Sequence, residues 1–485
     1  MRHIPKAARG EWARVLGATV GDVCASPNNP KKWLLLLILG RCVLTARPKE
    51  IGGSQQSAAN VVKAACRRWR GGEAGLLWQE AAGDRQGQQQ KGRKKKKGRR
   101  QQEQEEPNQD ARNARRAATL LQEGQLSRAA KALVSLGLDQ DSEEALREMK
   151  EKHPQQQVPA RGAQEGLAET QENPTVAPIS LSSREVYEAI RGFKPGSAPG
   201  PSGMRGEHLK EAKGRGEGRG AAALGSLARL VNCMAAGKVP DAVAPYLFGA
   251  NLFAANKKSG GYRPVAVGDV MRRLVAKCIM YKVSARAAEL LRPLQFGVGV
   301  RGGCEGVVHA TRANLADEKL PPDQKWCLQV DLVNGFNLSS RSHMFEEVRR
   351  LMPDLSPWVE SCYGVSSVLN FGSTTIPSTS GVQQGDPLGP LLFSLTQQPV
   401  LEKLQEIEGI IQNSWYLDDG LLMGTKDALV KAWDLLEEGL LLSLDKYLVF
   451  CPSHNPGDLD PLGREVSRTE VGDSASRTGS AGSGV

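Results

Sequence analysis

The 485-residue chain carries 64 Lys and Arg against 53 Asp and Glu, a formal charge of +11. That length suits two to three folded units, and that sign suits a partner with a phosphate backbone, although it serves solubility equally well. Nine cysteines, odd in number and never spaced C-x-x-C, argue against a disulfide scaffold; Cys451 and His454 form a half-site with no second pair to complete a zinc finger. The longest apolar run, Trp33-Leu34-Leu35-Leu36-Leu37-Ile38-Leu39, is far shorter than the roughly 20 residues a bilayer-spanning helix needs. It lies inside the chain with no small-residue cleavage pattern after it, so a buried helix is expected, in an intracellular protein with no membrane partner.

In chain order, residues 1–80 form a partly helical segment with Trp12, Trp33, Trp69 and Trp78. Residues 81–116 collapse into Gln, Lys, Arg, Glu and Gly, including Lys94-Lys95-Lys96-Lys97; little there can enter a core, and disorder is expected. The basic run reads equally as a nuclear-import or RNA-gripping arm and as a solvated linker. Helical spacing returns over 117–151, with Leu120, Leu121, Leu133 and Leu136 as anchors, and a second polar linker covers 152–178.

The main domain is expected over 179–452. It opens at Ser182-Ser183-Arg184-Glu185, which has capping-box spacing, and Val186, Ile190 and Phe193 follow on one helical face. Leu224, Leu227, Val231 and Met234 mark a helix, as do Val270, Leu274, Lys277 and Tyr281. Residues 327–332 read as a buried strand, with a helix through Met344, Val348 and Leu351 after it. A hairpin is predicted over 368–376 around Gly372, an apolar helix over 388–401, and a second hairpin over 411–423 that turns at Asp418-Asp419. Strands interleaved with helices in this way predict an α+β fold. Residues 453–485 are Gly, Ser, Asp and Arg, an expected disordered tail, and no internal repeat is present.

Two strings carry chemistry. Leu328-Gln329-Val330-Asp331-Leu332 puts a carboxylate at the end of a buried strand, which is costly without a cation or hydrogen bonds. Ser414-Trp415-Tyr416-Leu417-Asp418-Asp419-Gly420 puts two repelling carboxylates at a hairpin tip. Asp-Asp-Gly alone is also ordinary turn chemistry. Hard oxygen ligands with no Cys or His nearby favour two magnesium ions, with manganese as a substitute, about 4 Å apart and suited to in-line phosphoryl displacement.

Beyond these strings, the order of motifs from about Ser182 to Pro452 resembles the reverse transcriptase domain of non-LTR retrotransposons. The motifs are Lys194-Pro195-Gly196-Ser197-Ala198-Pro199-Gly200-Pro201-Ser202-Gly203, with Ser202 where the family usually has Asp; Tyr262-Arg263-Pro264-Val265-Ala266-Val267 followed by Arg272-Arg273; and Gln295-Phe296-Gly297-Val298-Gly299. They continue with Gly381-Val382-Gln383-Gln384-Gly385-Asp386-Pro387-Leu388-Gly389-Pro390-Leu391, then Tyr416-Leu417-Asp418-Asp419, then Leu442-Ser443-Leu444-Asp445-Lys446 with Phe450-Cys451-Pro452.

The resemblance implies right-hand polymerase fingers and a palm with an antiparallel sheet. It implies that Asp331 and Asp418 hold the metal ions, with Asp419 in support and the Leu332 carbonyl as a further ligand. Phe336 would sit beneath the incoming sugar and exclude a 2′-hydroxyl, Gln384 and Gly385 would lie against the nascent base pair, and Arg263 with Lys257 or Lys258 would clamp the triphosphate. Lys446 would serve as proton donor to pyrophosphate. Gly335 stands where a small Ala is commoner. The partners implied are an RNA template, a DNA primer and dNTPs, in the nucleus or a cytoplasmic ribonucleoprotein.

No nuclease pattern flanks the polymerase motifs, and the thumb expected after Pro452 is not recognisable. A truncated, non-catalytic RNA-binding remnant is therefore the alternative reading. An RNA-dependent RNA polymerase shares the carboxylate layout, and Phe336 and the Gln384-Gly385 string count against it. The sequence sets no oligomeric state.

Overall fold

The computed structural model describes residues 1–45, 57–83, 109–122, 124–140, 142–159, 161, 176–214, 218–440 and 447–451. The basic run at 91–100, Lys446 and the tail lie outside the described residues. Among the described residues there are nine strands: β1 (Leu138–Asp139), β2 (Ala250–Asn256), β3 (Tyr262–Gly268), β4 (Trp326–Asp331), β5 (Ser367–Phe371), β6 (Thr374–Ser378), β7 (Ile410–Tyr416), β8 (Asp419–Gly424) and β9 (Leu448–Phe450). Helices lie between them in the chain, and every pairing among these strands except the parallel β2–β5 is antiparallel, which suits an α+β fold. No helix among the described residues is long and apolar enough to cross a membrane.

The chain divides into two compact units, Met1–Leu290 with Asn334–Thr396, and Leu291–Val333 with Gln397–Val485. In the first unit, residues before 179 share one body with those after it. Helix Pro30–Leu44 starts at Asn29, whose side chain accepts from the Lys31 N–H, with Pro30 at the first helical position. It contains the predicted apolar run and buries Trp33, Leu36 and Leu39, while Leu34 stays exposed. Helix Arg9–Ala25 buries Trp12, Leu16, Val20 and Val23 and runs beside helix Gly218–Ala235, where Gly17 lets Ala223 approach closely. The Trp12 indole N–H donates to the His208 carbonyl at 3.0 Å, and Glu211 accepts from the Ile4 N–H at 2.7 Å and from Arg9 at 2.9 Å. The predicted capping box at Ser182 and Glu185 is formed in full.

His208 is buried, and its imidazole is held neutral by geometry. Its Nδ1 accepts from the Arg205 N–H at 3.2 Å, so Nε2 carries the proton facing the Met1 carbonyl at 3.1 Å. Burial is the largest influence, reinforced by the positive amino terminus and Arg205 against the opposing Met1 carbonyl, and it lowers the His208 pKa to about 4 from 6.5. The unfolded chain therefore binds the extra proton first as pH falls. This contribution is complete above about pH 6.5 and is lost progressively towards pH 4, amounting to about 3 kcal/mol. Urea titrations at pH 7 and pH 4.5 should show His208→Asn losing less stability over that interval than the wild type.

The sheet of the first unit centres on β2, which pairs antiparallel with β3 along its length, from Ala250↔Gly268 to Asn256↔Tyr262. Its other edge is shared by β5, parallel at Ala250↔Leu369, and β1, antiparallel at Leu138↔Ala255. The β5–β6 hairpin turns at Gly372, as predicted. Helix Glu143–Glu151 covers the sheet through Ala145 and Met149, which pack with Leu252, Leu369, Phe371 and Ile376.

The helical expectation over 117–151 needs correction. Helices Gln109–Gln122, Leu126–Leu133 and Glu143–Glu151 are separated at Gly124 and Gly137, both at positive φ, and the chain after Gly137 supplies β1 to the open edge of β2. Leu121, Leu133 and Leu136 are exposed; Ala117, Leu120, Ala129 and Ala132 do the packing.

The Pro/Gly loop at 194–203 is held by its carbonyls. Arg128, Arg205, Arg273, Asn251 and Arg41 donate to the carbonyls of Pro195, Ser197, Ala198, Pro199 and Pro201 respectively. The Ser202 N–H donates to Asp269 Oδ2 at 3.2 Å. At Gly200 a Cβ would stand 2.4 Å from the Gly268 carbonyl oxygen, so no side chain fits.

The second unit is built on a four-stranded antiparallel sheet in the order β7-β8-β4-β9. Helix Lys426–Gly439, capped by Thr425, packs Leu429, Trp433 and Leu436 inward beside β4 and β8. Helix Gly303–Ala316 is tied to β7 through Gln412, which accepts from Asn314 at 3.0 Å and donates to Thr311 at 2.9 Å.

Candidate active site

The three aspartates meet at one end of the second unit's sheet. β4 buries Trp326, Cys327, Leu328 and Val330, which fixes the strand in place and leaves Asp331 half-buried at its end. In the β4–β8 ladder Asp331 faces Asp419, and Asp419 in turn faces Tyr416 across the β7–β8 hairpin. Residues opposed in an antiparallel pair have Cα atoms about 5 Å apart and side chains on the same face. Asp418 is half-buried on the adjoining turn, and Asp419 is exposed.

The turn lies one position earlier than predicted. Asp419 already belongs to β8, and Leu417-Asp418 are the two central residues. Right-handed strand twist favours a two-residue turn that begins at positive φ, and Leu417 supplies it at φ 59°. A bulky residue there is strained, and the surrounding structure must hold it. Gly420 is not a turn residue either. A Cβ on it would meet the Trp415 ring at 2.6 Å and Val330 at 2.7 Å, so the glycine makes room for the buried indole behind the acidic tip. Trp415 Nε1–H donates to Asn413 at 2.8 Å, which locks the ring.

Among the described residues no three His, Cys, Asp or Glu side chains stand as a ready-made metal cage. Two facing carboxylates with a third on the next turn nevertheless fit magnesium. That ion is usually held by one or two carboxylates and completes its octahedron with water and substrate phosphate. The donor set is oxygen alone, and the Leu332 carbonyl follows Asp331 directly in the chain.

The other predicted residues that are described belong to the first unit. Phe336 stacks on Phe393 with ring centroids 4.5 Å apart and planes 14° from parallel, and its carbonyl accepts from the Val382 N–H at 2.7 Å. It is half-buried, so one part of the ring packs and another stays open. Gln384 gives its carbonyl to the Ala266 N–H at 2.8 Å. Gly385 has φ 133°, and a Cβ there would stand 2.1 Å from the Ala266 carbonyl oxygen. Close packing on β3 is thus sufficient reason for that glycine. Lys257 and Lys258 sit at the β2–β3 turn, and Arg263 lies exposed on β3 opposite Ala255.

Sequence reasoning missed what fixes the Gln383–Asp386 loop. Arg272 is buried and donates to Asp386 at 2.8 Å, to Gln383 Oε1 at 2.5 Å and to the Phe248 carbonyl. The Tyr363 hydroxyl donates to the same Asp386 oxygen at 2.8 Å. Burial, and then the Asp386 carboxylate, push the Tyr363 hydroxyl well above its ordinary pKa, so it stays a donor. Arg341 donates to the carbonyls of Gly381 and Tyr363, each at 3.0 Å; burial lowers it to about 10, and it remains a cation at neutral pH. The only available signal was the Arg272-Arg273 pair following the Tyr262–Val267 motif, since an arginine's planar fork suits a carboxylate and several carbonyls at once.

Comparison with known proteins bears on the same stretch of chain. Residues 255–443 match the family described as reverse transcriptase (RNA-dependent DNA polymerase). Over 249 residues, 50% of this chain, the sequence is 28% identical to the retrotransposable element SLACS 132 kDa protein of Trypanosoma brucei gambiense, and it spans 20% of that relative's length. Similar solved structures include apo telomerase from Candida tropicalis truncated from its C-terminal domain (12% identity, TM-score 0.32, 43% of this chain and 51% of that one). Telomerase from Candida albicans in complex with a TWJ fragment of telomeric RNA is another (12% identity, TM-score 0.33, 45% and 44%). Structural overlaps that loose carry no weight of their own. The sequence match and the ordered motifs do: the chain carries a reverse transcriptase domain over residues 255–443, related to those of non-LTR retrotransposable elements.

Proposed function

We propose that this chain is an RNA-directed DNA polymerase that extends a primer 3′-hydroxyl with dNTPs. The observation that carries the reading is the pairing of Asp331 with Asp419, with Asp418 on the adjoining turn, inside the reverse transcriptase match. On this reading the antiparallel sheet of the second unit is the palm, and the β2–β3 hairpin belongs to the fingers.

Asp331 and Asp418 would hold the divalent ions, with Asp419 adding negative charge beside them. Magnesium bound there would lower the cost of deprotonating the primer hydroxyl and neutralise charge on the leaving pyrophosphate. Arg263 and Lys257, exposed on one hairpin, supply cations for triphosphate oxygens. Gln384 and Gly385, braced by Ala266 and the Arg272–Asp386 pair, would form a firm floor for a base pair. Lys446 would donate a proton to pyrophosphate.

Phe336, pinned by Phe393, would exclude a 2′-hydroxyl by bulk. Phe336→Val should raise incorporation of ribonucleotides relative to deoxyribonucleotides by about tenfold, because opening a pocket by a few atoms shifts discrimination on that scale. Single-nucleotide kcat/KM values for paired dNTP and NTP substrates check this.

Extension of a labelled DNA primer on an RNA template with magnesium tests the assignment. DNA product dependent on dNTPs is the expected result. A preference for NTPs would make the chain an RNA polymerase, and RNA binding with no extension would make it a binding remnant.

A further inference from the structure

We infer that Gln295 is a positioning residue for the acidic turn, acting as a two-point clamp on the strained backbone of Leu417 and so setting where Asp418 and Asp419 stand. This rests on the metal-holding role proposed for those aspartates, but the clamp itself is a feature of geometry.

Gln295 is wholly buried, and both polar atoms of its carboxamide are spent on one short stretch of main chain. Its Oε1 accepts from the Leu417 N–H at 2.7 Å, and its Nε2 donates to the Leu417 carbonyl at 3.3 Å. The side chain thus pairs with Leu417 as a second peptide group would in a β-ladder. The same Oε1 also accepts from the Gly297 N–H at 3.0 Å, which orients the amide from behind.

The main chain on either side reinforces the clamp. The Phe296 N–H donates to the Trp415 carbonyl and the Trp415 N–H to the Leu294 carbonyl, each at 2.7 Å, making a short parallel bridge along the strand that leads into the turn. Gly297 completes the seat, since a Cβ there would stand 2.7 Å from Leu417 Cγ and 3.0 Å from its N.

The clamp has something to resist. Leu417 sits at φ 59°, where a side chain is disfavoured, and Asp418 and Asp419 follow it with two like charges in succession. Released, the turn would relax towards negative φ and rotate both carboxylates. Gln, rather than Glu, is required because one atom must accept from the peptide and the other donate to it.

Hydrogen exchange of the full-length protein, read at single-residue resolution by NMR, with manganese affinity measured by electron paramagnetic resonance, tests the inference. Gln295→Ala should accelerate exchange at the Leu417 amide while leaving the protection of β4 unchanged. It should also weaken manganese binding by about tenfold, the scale expected when a group that orients metal ligands is lost. Adding Leu417→Gly to Gln295→Ala should recover most of that affinity, because glycine adopts the left-handed conformation without the side-chain penalty; a purely structural defect would not be rescued this way.

Unchanged Leu417 exchange in Gln295→Ala, or wild-type manganese affinity despite faster exchange, would overturn the positioning role. Manganese affinity that does not respond to Asp418→Ala would instead overturn the metal-holding reading, while the exchange data still decide whether Gln295 holds the turn.

Discussion

Asp418→Ala and Asp331→Ala should each lower RNA-templated dNTP incorporation by about a thousandfold, or ~4 kcal/mol of barrier, because each removes a carboxylate proposed to fix the ion that stabilises transferring phosphoryl charge. Primer–template affinity should stay within about threefold, since phosphate contacts by basic residues dominate that term. The fold should tolerate both changes. Asp418 lies on a turn and Asp331 at a strand end, and removing one of several neighbouring negative charges relieves repulsion. Asp419→Asn should cost less, because Asp419 is exposed and is assigned a supporting role. Single-turnover incorporation with filter binding and a thermal melt on the same samples separates chemistry from folding. Near wild-type rates in Asp331→Ala would remove that residue from the metal site.

Arg272→Ala should destabilise the fold by about 3–5 kcal/mol, because it leaves the Asp386 carboxylate buried without its cation. The two side chains are each 2% exposed and 2.8 Å apart, so water cannot take over the missing partner without opening the core. The loss also strands Gln383 Oε1, which arginine serves with its other nitrogen, while the Phe248 carbonyl keeps the Gln383 amide as its remaining donor. The double variant Arg272→Met with Asp386→Leu should recover much of that stability, since a buried pair replaced by apolar groups of similar volume is often tolerated. It should not restore the order of the Gln384–Gly385 segment, which hangs between Gln383 and Asp386. Urea denaturation of the three proteins measures the first effect. A loss below about 1 kcal/mol in Arg272→Ala would show that the pair is exchangeable for solvent.

Much of this architecture was legible in the residues. The Ser182–Glu185 capping box, the strand ending at Asp331 and the hairpin around Gly372 each rest on local chemistry, and each forms as that chemistry predicts. The helical stripe through Leu121, Leu133 and Leu136 misled because periodicity shows that a helix is amphipathic but not which stripe finds a partner. Small alanines pack there instead, and two glycines interrupt the run. The turn was misplaced by one residue because Asp-Asp-Gly has good turn composition, whereas the glycine serves the Trp415 ring.

Gln295 and Arg272 were visible as residues inside motifs, but their work depends on partners more than a hundred positions away. No local pattern encodes such a distance. The same holds for the N-terminal helices, whose fit to helix Gly218–Ala235 comes from small residues such as Gly17 meeting Ala223.

Anomalous diffraction from crystals of the full chain, grown with an RNA template, a DNA primer, a non-reactive dNTP analogue and manganese, locates the ions themselves. The metal-holding assignment requires two peaks about 4 Å apart, within about 2.2 Å of carboxylate oxygens of Asp331 and Asp418. Manganese bound elsewhere with none at those two side chains, in crystals where the nucleotide analogue is seated, would contradict it.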